Sequence, residues 1–261
     1  MRTEARYWEA IGAVSETEPQ QTLWRAHSDA VNSNWVAQHL SATPSQRLLK
    51  TDLFDEALAA GLHPVLATRA RRVIGIDLST STIRAARGRY AGVQGVAADL
   101  RRLPFATSAF DAIVSNSTLD HFALAGDIVT GLEELYRVLR PGGQLLLTLD
   151  NMANPVVALR NALPFRPLNA LGIVPYQIGV AWGPRRLRRE MCEAGFEVLE
   201  VGAILHCPRV VAVAFARILE RYGATRAQRR YLECLLSFER LSACRTRFLT
   251  GYFVAVVARK P

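Results

Sequence analysis

The chain has 261 residues, half of them hydrophobic and 21% charged, so it can bury a large core, which excludes a disordered polypeptide. The net charge of +9 does not by itself define a nucleic-acid protein. Only Lys50 and Lys260 are lysines, and the arginines are scattered in pairs such as Arg71-Arg72 and Arg188-Arg189, as expected of a solvated, acid-paired surface.

In chain order, residues 1–45 read as helical, with Trp24, His27, Val31 and Trp35 recurring at the spacing of one amphipathic face. Thr43-Pro44-Ser45 breaks that pattern. Short apolar strands are then predicted at 47–50, 73–77, 93–97, 109–115 and 144–149, alternating with helical stretches as in a parallel α/β sheet. Ile128, Leu132, Leu135 and Leu139 form one apolar helical face that stops at Arg140-Pro141-Gly142-Gly143.

Beyond Leu149 the pattern loosens. Residues 151–182 hold four prolines and read as a partly helical excursion. Pro184 starts a helix that Gly195 ends. A strand is predicted at 196–203, helices at 208–221 and 226–243, and a closing strand at 251–258.

Cys192, Cys207, Cys234 and Cys244 form no Cys-x-x-Cys pair, and no histidines stand at ligand spacing. No metal site and no disulfide framework are therefore expected, and a reducing, cytoplasmic setting fits. The N-terminus carries no apolar leader, and no apolar run approaches the ~18 residues of a membrane span.

In an open parallel sheet, ligands bind beyond the carboxyl ends of the strands, so the residues just after each strand carry the functional reading. Asp77, followed by Leu78, ends the second strand, and a carboxylate there suits the two hydroxyls of a ribose. A helix cap is the alternative, but Ser79 or Thr80 can fill that role. Asp99-Leu100 follows the third strand; it suits an adenine amine and ring face, or an ordinary turn. Ser115-Asn116-Ser117-Thr118-Leu119-Asp120-His121 follows the fourth.

This series resembles the class I S-adenosylmethionine (SAM)-dependent methyltransferases over roughly residues 47–149. The matching pieces are 73–78, 98–105, 110–121 and the helix running into Pro141-Gly142-Gly143 before a strand. The resemblance implies a Rossmann-like, mostly parallel seven-stranded sheet with an antiparallel last strand, in one domain. Within it, 1–45 is a helical cap, 46–150 the SAM-binding core, 151–183 a lid-like excursion and 184–261 the rest of the sheet with a helical insertion. It further implies SAM as cofactor, Asp77 on its ribose, Asp99 and Leu100 at its adenine, and Asn116 near its methionine portion.

The first turn departs from the family. Where a glycine-rich loop is usual, this chain has Lys50-Thr51-Asp52-Leu53-Phe54-Asp55-Glu56, without glycine. Either Thr51 and Asp52 replace backbone contacts with side-chain ones, Asp52 taking the cofactor's ammonium, or cofactor binding is lost. The bland alternatives are a helix cap for Asp52 and a solvated cation for Lys50.

Methyl transfer needs positioning of the acceptor, and a hydroxyl acceptor needs a base. His121 is the first candidate for that base, with packing of a helix start as its alternative. Asp150, Asn154, Tyr176 and His206 are candidates for holding a small-molecule acceptor: a sugar, a glycolipid, or a secondary-metabolite hydroxyl or amine. Trp24, Trp35 and Trp182 would line a lid or simply seal the core. Cys207 is given no nucleophilic role. The apolar run 210–216 between arginines would touch a membrane or lipid, though a helix packed on the sheet is the plainer expectation.

Three other classes stay open: a SAM-fold protein that does not methylate, such as a cyclase or binding scaffold; an RNA-binding module, prompted only by charge; and a NAD enzyme, which the absence of Gly-x-Gly-x-x-Gly opposes.

Overall fold

A computed structural model describes residues 2–15, 22–170, 174 and 179–261. Seven strands form one sheet: β1 (Ser45–Lys50), β2 (Ala70–Asp77), β3 (Val93–Ala97), β4 (Phe110–Asn116), β5 (Leu139–Asp150), β6 (Glu197–Ile204) and β7 (Phe253–Arg259). Their order is β3-β2-β1-β4-β5-β7-β6. The neighbours among β1 to β5 run parallel, and β7 runs antiparallel between β5 and β6. This is the expected Rossmann-like fold, and its strand order reverses between β1 and β4.

Both faces of the sheet are covered, so its central strands are apolar on both sides. Leu49, Ile113, Leu145 and Leu147 face one core with Ile128, Leu132 and Leu135 of α6 (Ala125–Val138). Their neighbours Leu48, Ala112, Val114 and Leu146 face the other, with Trp24, Val31 and Trp35 of α2 (Thr22–His39). Leu132 and Leu135 are fully buried; truncating either to alanine costs about 2–5 kcal/mol.

In the N-terminal region the described residues form helices α1 (Arg2–Ser15) and α2, and α2 ends at His39. Short helices α3 (Phe54–Leu58) and α4 (His63–Arg69) link β1 to β2, and α5 (Thr80–Arg89) links β2 to β3. β5 starts at Leu139, earlier than the sequence predicts, because Leu139 already pairs with Phe110; Gly142, in the irregular stretch of β5 before Gln144, takes φ 73°. Among the described residues of the excursion lie α7 (Pro155–Ala162) and α8 (Phe165–Ala170). α9 (Pro184–Glu193) carries its proline in the first turn. After β6 come α10 (Arg209–Tyr222), α11 (Thr225–Ser237) and α12 (Arg247–Thr250), with 238–243 in 3-10 form rather than α-helix.

The expectation that the apolar run 210–216 packs on the sheet is corrected. Within α10 only Ala212 and Ala216 are buried, while Val210, Val211 and Phe215 are exposed. Ala212 and the partly buried Val213 pack on the second core, and Ala216 is buried beside them.

Candidate active site

The crevice of interest lies where the carboxyl ends of β1 and β4 diverge, at the reversal of strand order. The turn leaving β1 explains how a glycine-free sequence fits there. None of residues 51–59 takes a positive φ, so no position in the turn needs a glycine. The side chain of Leu53 instead fills the space over β2 and β3. A Cβ on Gly75 would stand 2.4 Å from Leu53 Cδ2, so the missing side chain has moved to the neighbouring strand.

Lys50 does not reach solvent; it is 1% exposed and lies beneath the turn. Its ammonium donates to the Asp52 carbonyl at 2.8 Å and pairs with Glu56 at 2.9 Å and the Asp52 carboxylate at 3.3 Å. Burial disfavours the charged amine, but Asp52, Glu56 and Asp55 outweigh it and hold the Lys50 ammonium above its ordinary range. Glu56 in turn accepts the backbone N–H of Leu62 at 2.8 Å. A buried ion pair thus does the bracing that backbone alone does in a glycine loop. The solvated-cation reading of Lys50 is overturned by this burial.

Asp52 is partly exposed above this pair. Its carboxylate accepts the Phe54 N–H at 3.3 Å and the Thr118 hydroxyl at 3.1 Å. Thr118 also meets Thr51 Oγ1 at 2.7 Å, and Thr51 donates to Ser115 at 3.0 Å. The ends of β1 and β4 are thereby joined by one chain of hydroxyls ending on a carboxylate.

At the end of β2, Asp77 accepts the Leu53 N–H at 3.1 Å on one oxygen and the Ser79 N–H at 2.8 Å on the other. Ser79 Oγ caps α5 by accepting from Thr82 N–H, as the sequence suggested. Burial pushes the Asp77 carboxyl up to about 6. Leu78 beside it is half-buried.

At the end of β3, Asp99 is gripped by Arg101, whose Nη2 lies 2.7 Å from Oδ2. Burial works against ionisation there, but Arg101 holds Asp99 below the usual carboxylate range. Leu100 packs into the core under α6.

Helix α1 crosses this edge. Glu9 accepts the N–H groups of Thr80 and Ser81 at the start of α5, at 2.8 and 3.1 Å. Glu4 pairs with Arg101 at 2.6 Å, and the Trp8 ring meets His121 edge-on at 4.8 Å. The ends of β2, β3 and β4 are thus spanned by one helix. The sequence offered no signal for these partners beyond helical spacing.

After β4 the chain turns sharply at Ser117, which takes φ 49°, a costly conformation for a residue with a Cβ. Asn116 accepts the Thr148 hydroxyl at 3.0 Å. Asp120 is buried and accepts Ser117 Oγ at 2.8 Å and the Asp150 N–H at 3.2 Å. Burial, and then the nearby Asp150, raise its carboxyl above the ordinary range.

The residues expected on the acceptor side are held largely by their own chain. Asp150 pairs with Arg160 of α7, whose guanidinium also donates to the Tyr252 hydroxyl. Asn154 caps α7 through Val156 N–H at 2.9 Å and donates to the Thr250 carbonyl at 3.0 Å. Both ring nitrogens of His206 are engaged, with Thr250 Oγ1 at 2.8 Å and the Ala203 carbonyl at 3.0 Å. Tyr176 lies outside the described residues.

Trp24, Trp35 and Trp182 are buried within the two cores. Cys207 has a base near it: His27 Nε2 lies 3.3 Å from its sulfur, brought there by α2 across 180 residues of sequence. Burial pushes the thiol up to about 12 and the imidazole down to about 4, so the pair is neutral and the sulfur is not a nucleophile.

Comparison with known proteins agrees with this architecture. Residues 58–147 match a family model described as a methyltransferase domain. Over 163 residues the chain is 31% identical to a demethylmenaquinone methyltransferase of Corynebacterium kroppenstedtii, covering 60% of this chain and 62% of that protein. It spans about half the length of other proteins of that name.

Among solved structures, the [4+2]-cyclase SpnF superposes with a TM-score of 0.58 at 21% identity, over 88% of this chain and 80% of that one. The N-methyltransferase NodS from Bradyrhizobium japonicum, in complex with S-adenosylhomocysteine (SAH), gives 0.54 at 14% identity, over 88% and 86%. Residues 58–147 thus match a methyltransferase domain, and the chain shares its fold with these solved structures.

Proposed function

We propose that the chain binds SAM across the ends of β1 to β4 and transfers its methyl group to a hydroxyl or amine of a small or medium-sized acceptor. A sugar, a glycolipid or a secondary metabolite is the acceptor class we favour. The observation that carries the reading is the row of carboxylates Asp52, Asp77 and Asp99 at successive strand ends beside the reversal of strand order.

The donor set fits the cofactor. A carboxylate has about four acceptor sites; Asp77 uses one on Leu53 and one on Ser79, which leaves acceptor capacity for two ribose hydroxyls. Asp52, half-shielded, suits the ammonium, with Thr51 shaping the floor and Lys50 acting through the turn. Asp99 and Leu100 go with the adenine, Leu78 with the ribose side, and Asn116 with the methionine portion. SAM supplies an electrophilic methyl group. The chain's own part is to hold the acceptor in line and to exclude water.

His121, under Trp8 of α1, is the base in this reading when the acceptor is a hydroxyl. Asp150 orients the acceptor or cofactor from its anchor on Arg160. Asn154 and His206 support that wall by fixing α7 and the end of β6, and Tyr176 is kept as a candidate for holding the acceptor. Four free cysteines are compatible with the reducing cytoplasm we favour. The described helices include none long and apolar enough to cross a membrane.

A second reading draws on the glycine-free turn: a SAM-fold protein that does not methylate, such as a cyclase, and a [4+2]-cyclase, SpnF, shares this fold. Assaying SAH release from SAM with panels of sugars, glycolipids, phenols and amines separates the two. Acceptor-dependent SAH supports methyl transfer. SAM binding without SAH from any acceptor class favours the second reading.

A further inference from the structure

Helix α10 is amphipathic in the opposite sense to a packed helix. Ala212 and Ala216 face the protein, whereas Val211, Phe215, Ile218 and Tyr222 are each more than half exposed. Their spacing of four, three and four residues places them in one stripe along the outer face. Large apolar side chains in a continuous exposed stripe mark an interaction surface rather than ordinary surface scatter.

What covers the stripe is indicated by charge. By helical phase Arg221 falls beside the stripe and Arg217 further round the helix, and both are exposed. The one carboxylate of α10, Glu220, is turned the other way, accepting Leu23 N–H at 2.6 Å and the Thr22 hydroxyl at 3.0 Å at the start of α2. The outer face is thus apolar and cationic.

A neighbouring helix repeats the pattern. Val156, Leu159 and Leu163 are exposed on and just after α7, and residues 151–189 contain no Asp or Glu. The two helices adjoin at Tyr252, where Arg160 of α7 and Arg209 of α10 lie 5.4 and 4.6 Å from the ring. Each leaves the carboxyl edge of the sheet, α7 after β5 and α10 after β6.

We infer that α10 and α7 form a peripheral docking surface for an anionic lipid bilayer. The apolar stripe enters the headgroup boundary, and Arg217 and Arg221 pair with lipid phosphates. The surface borders the edge of the sheet that carries Asp150, so an acceptor dissolved in the bilayer would reach the site without crossing bulk water. The docking does not rest on methyl transfer and is tested apart from it.

The experiment is co-sedimentation of the full chain with vesicles of phosphatidylglycerol and phosphatidylcholine, and with phosphatidylcholine alone. Binding is expected to the anionic vesicles and to fall with salt. Phe215→Glu with Ile218→Glu should lower it by at least ~10-fold, since each replaces an apolar side chain that enters the bilayer with a carboxylate that the anionic surface repels. Arg217→Gln with Arg221→Gln should lower it several-fold and flatten the salt dependence. Circular dichroism and SAH titration verify that the variants are folded. Absence of wild-type binding to anionic vesicles, or equal binding by folded variants, would overturn the proposal. So would a dimer in solution that the Glu variant dissociates, with no vesicle binding, because a second copy would then be the occupant.

Discussion

The carboxylate of Asp77 accepts the backbone N–H of Leu53 at 3.1 Å, tying the end of β2 to the turn that leaves β1. The residue assigned to the ribose therefore also holds the glycine-free turn in place. Asp77→Ala should lower SAH affinity by at least ~10-fold, as expected for losing hydrogen bonds to a charged group worth about 1.5–3 kcal/mol. It should also lower unfolding stability in urea, because two backbone donors lose their acceptor. Asp77→Asn keeps one acceptor oxygen and should fall between the two, by calorimetry and by urea titration.

The same carboxyl sets a pH dependence. Burial raises Asp77 to about 6, so its contribution to folding stability is full below the ordinary carboxylate range and is lost as pH rises through about 6. Ribose binding runs the other way, because the ionised form is the acceptor. SAH affinity should be level above pH 7 and weaken toward pH 5, and Asp77→Asn should remove that slope. An unchanged slope in the variant would assign the titration to another group.

Lys50 and Glu56 form a buried pair at 2.9 Å. Replacing one partner, by Lys50→Met or Glu56→Leu, leaves an uncompensated polar group and should cost about 3–5 kcal/mol in the Lys50→Met case. The double variant Lys50→Met with Glu56→Leu should recover much of that loss. Chemical denaturation of the four proteins measures the coupling.

All seven strands were legible from apolar runs between breakers, and the acidic residues after β2 and β3 from their place at strand ends. The expected alternation needs only local sequence. What stayed hidden depends on topology. Glu4 reaches Arg101 across 97 residues, and Arg160 reaches Tyr252 across 92. On α10 the packing face is made by Ala212, Val213 and Ala216, while Val211 and Phe215 of the same apolar run stay exposed, and an unbroken apolar run does not show which side will pack. The burial of Lys50 stayed hidden because no local rule announces a partner six residues on, beneath a turn.

The pair of His27 and Cys207 carries a fourth expectation. Burial holds the imidazole down at about 4, so its contribution to stability is present above the ordinary histidine range and is lost as pH falls through about 4. His27→Gln should reduce the acid sensitivity of unfolding. The thiol, raised to about 12, should resist alkylation in the native state. Mass spectrometry after iodoacetamide should find label on Cys192, Cys234 and Cys244 in the folded chain and on Cys207 only after denaturation.

The central claim is that the turn from Lys50 to Glu56 supports cofactor binding without glycine. Isothermal titration of the purified chain with SAM, SAH and NAD in parallel tests it most directly. The account predicts saturable binding of SAM and SAH, lost together in Asp77→Ala, and no binding of NAD. Saturable binding of NAD with none of SAM or SAH would contradict it.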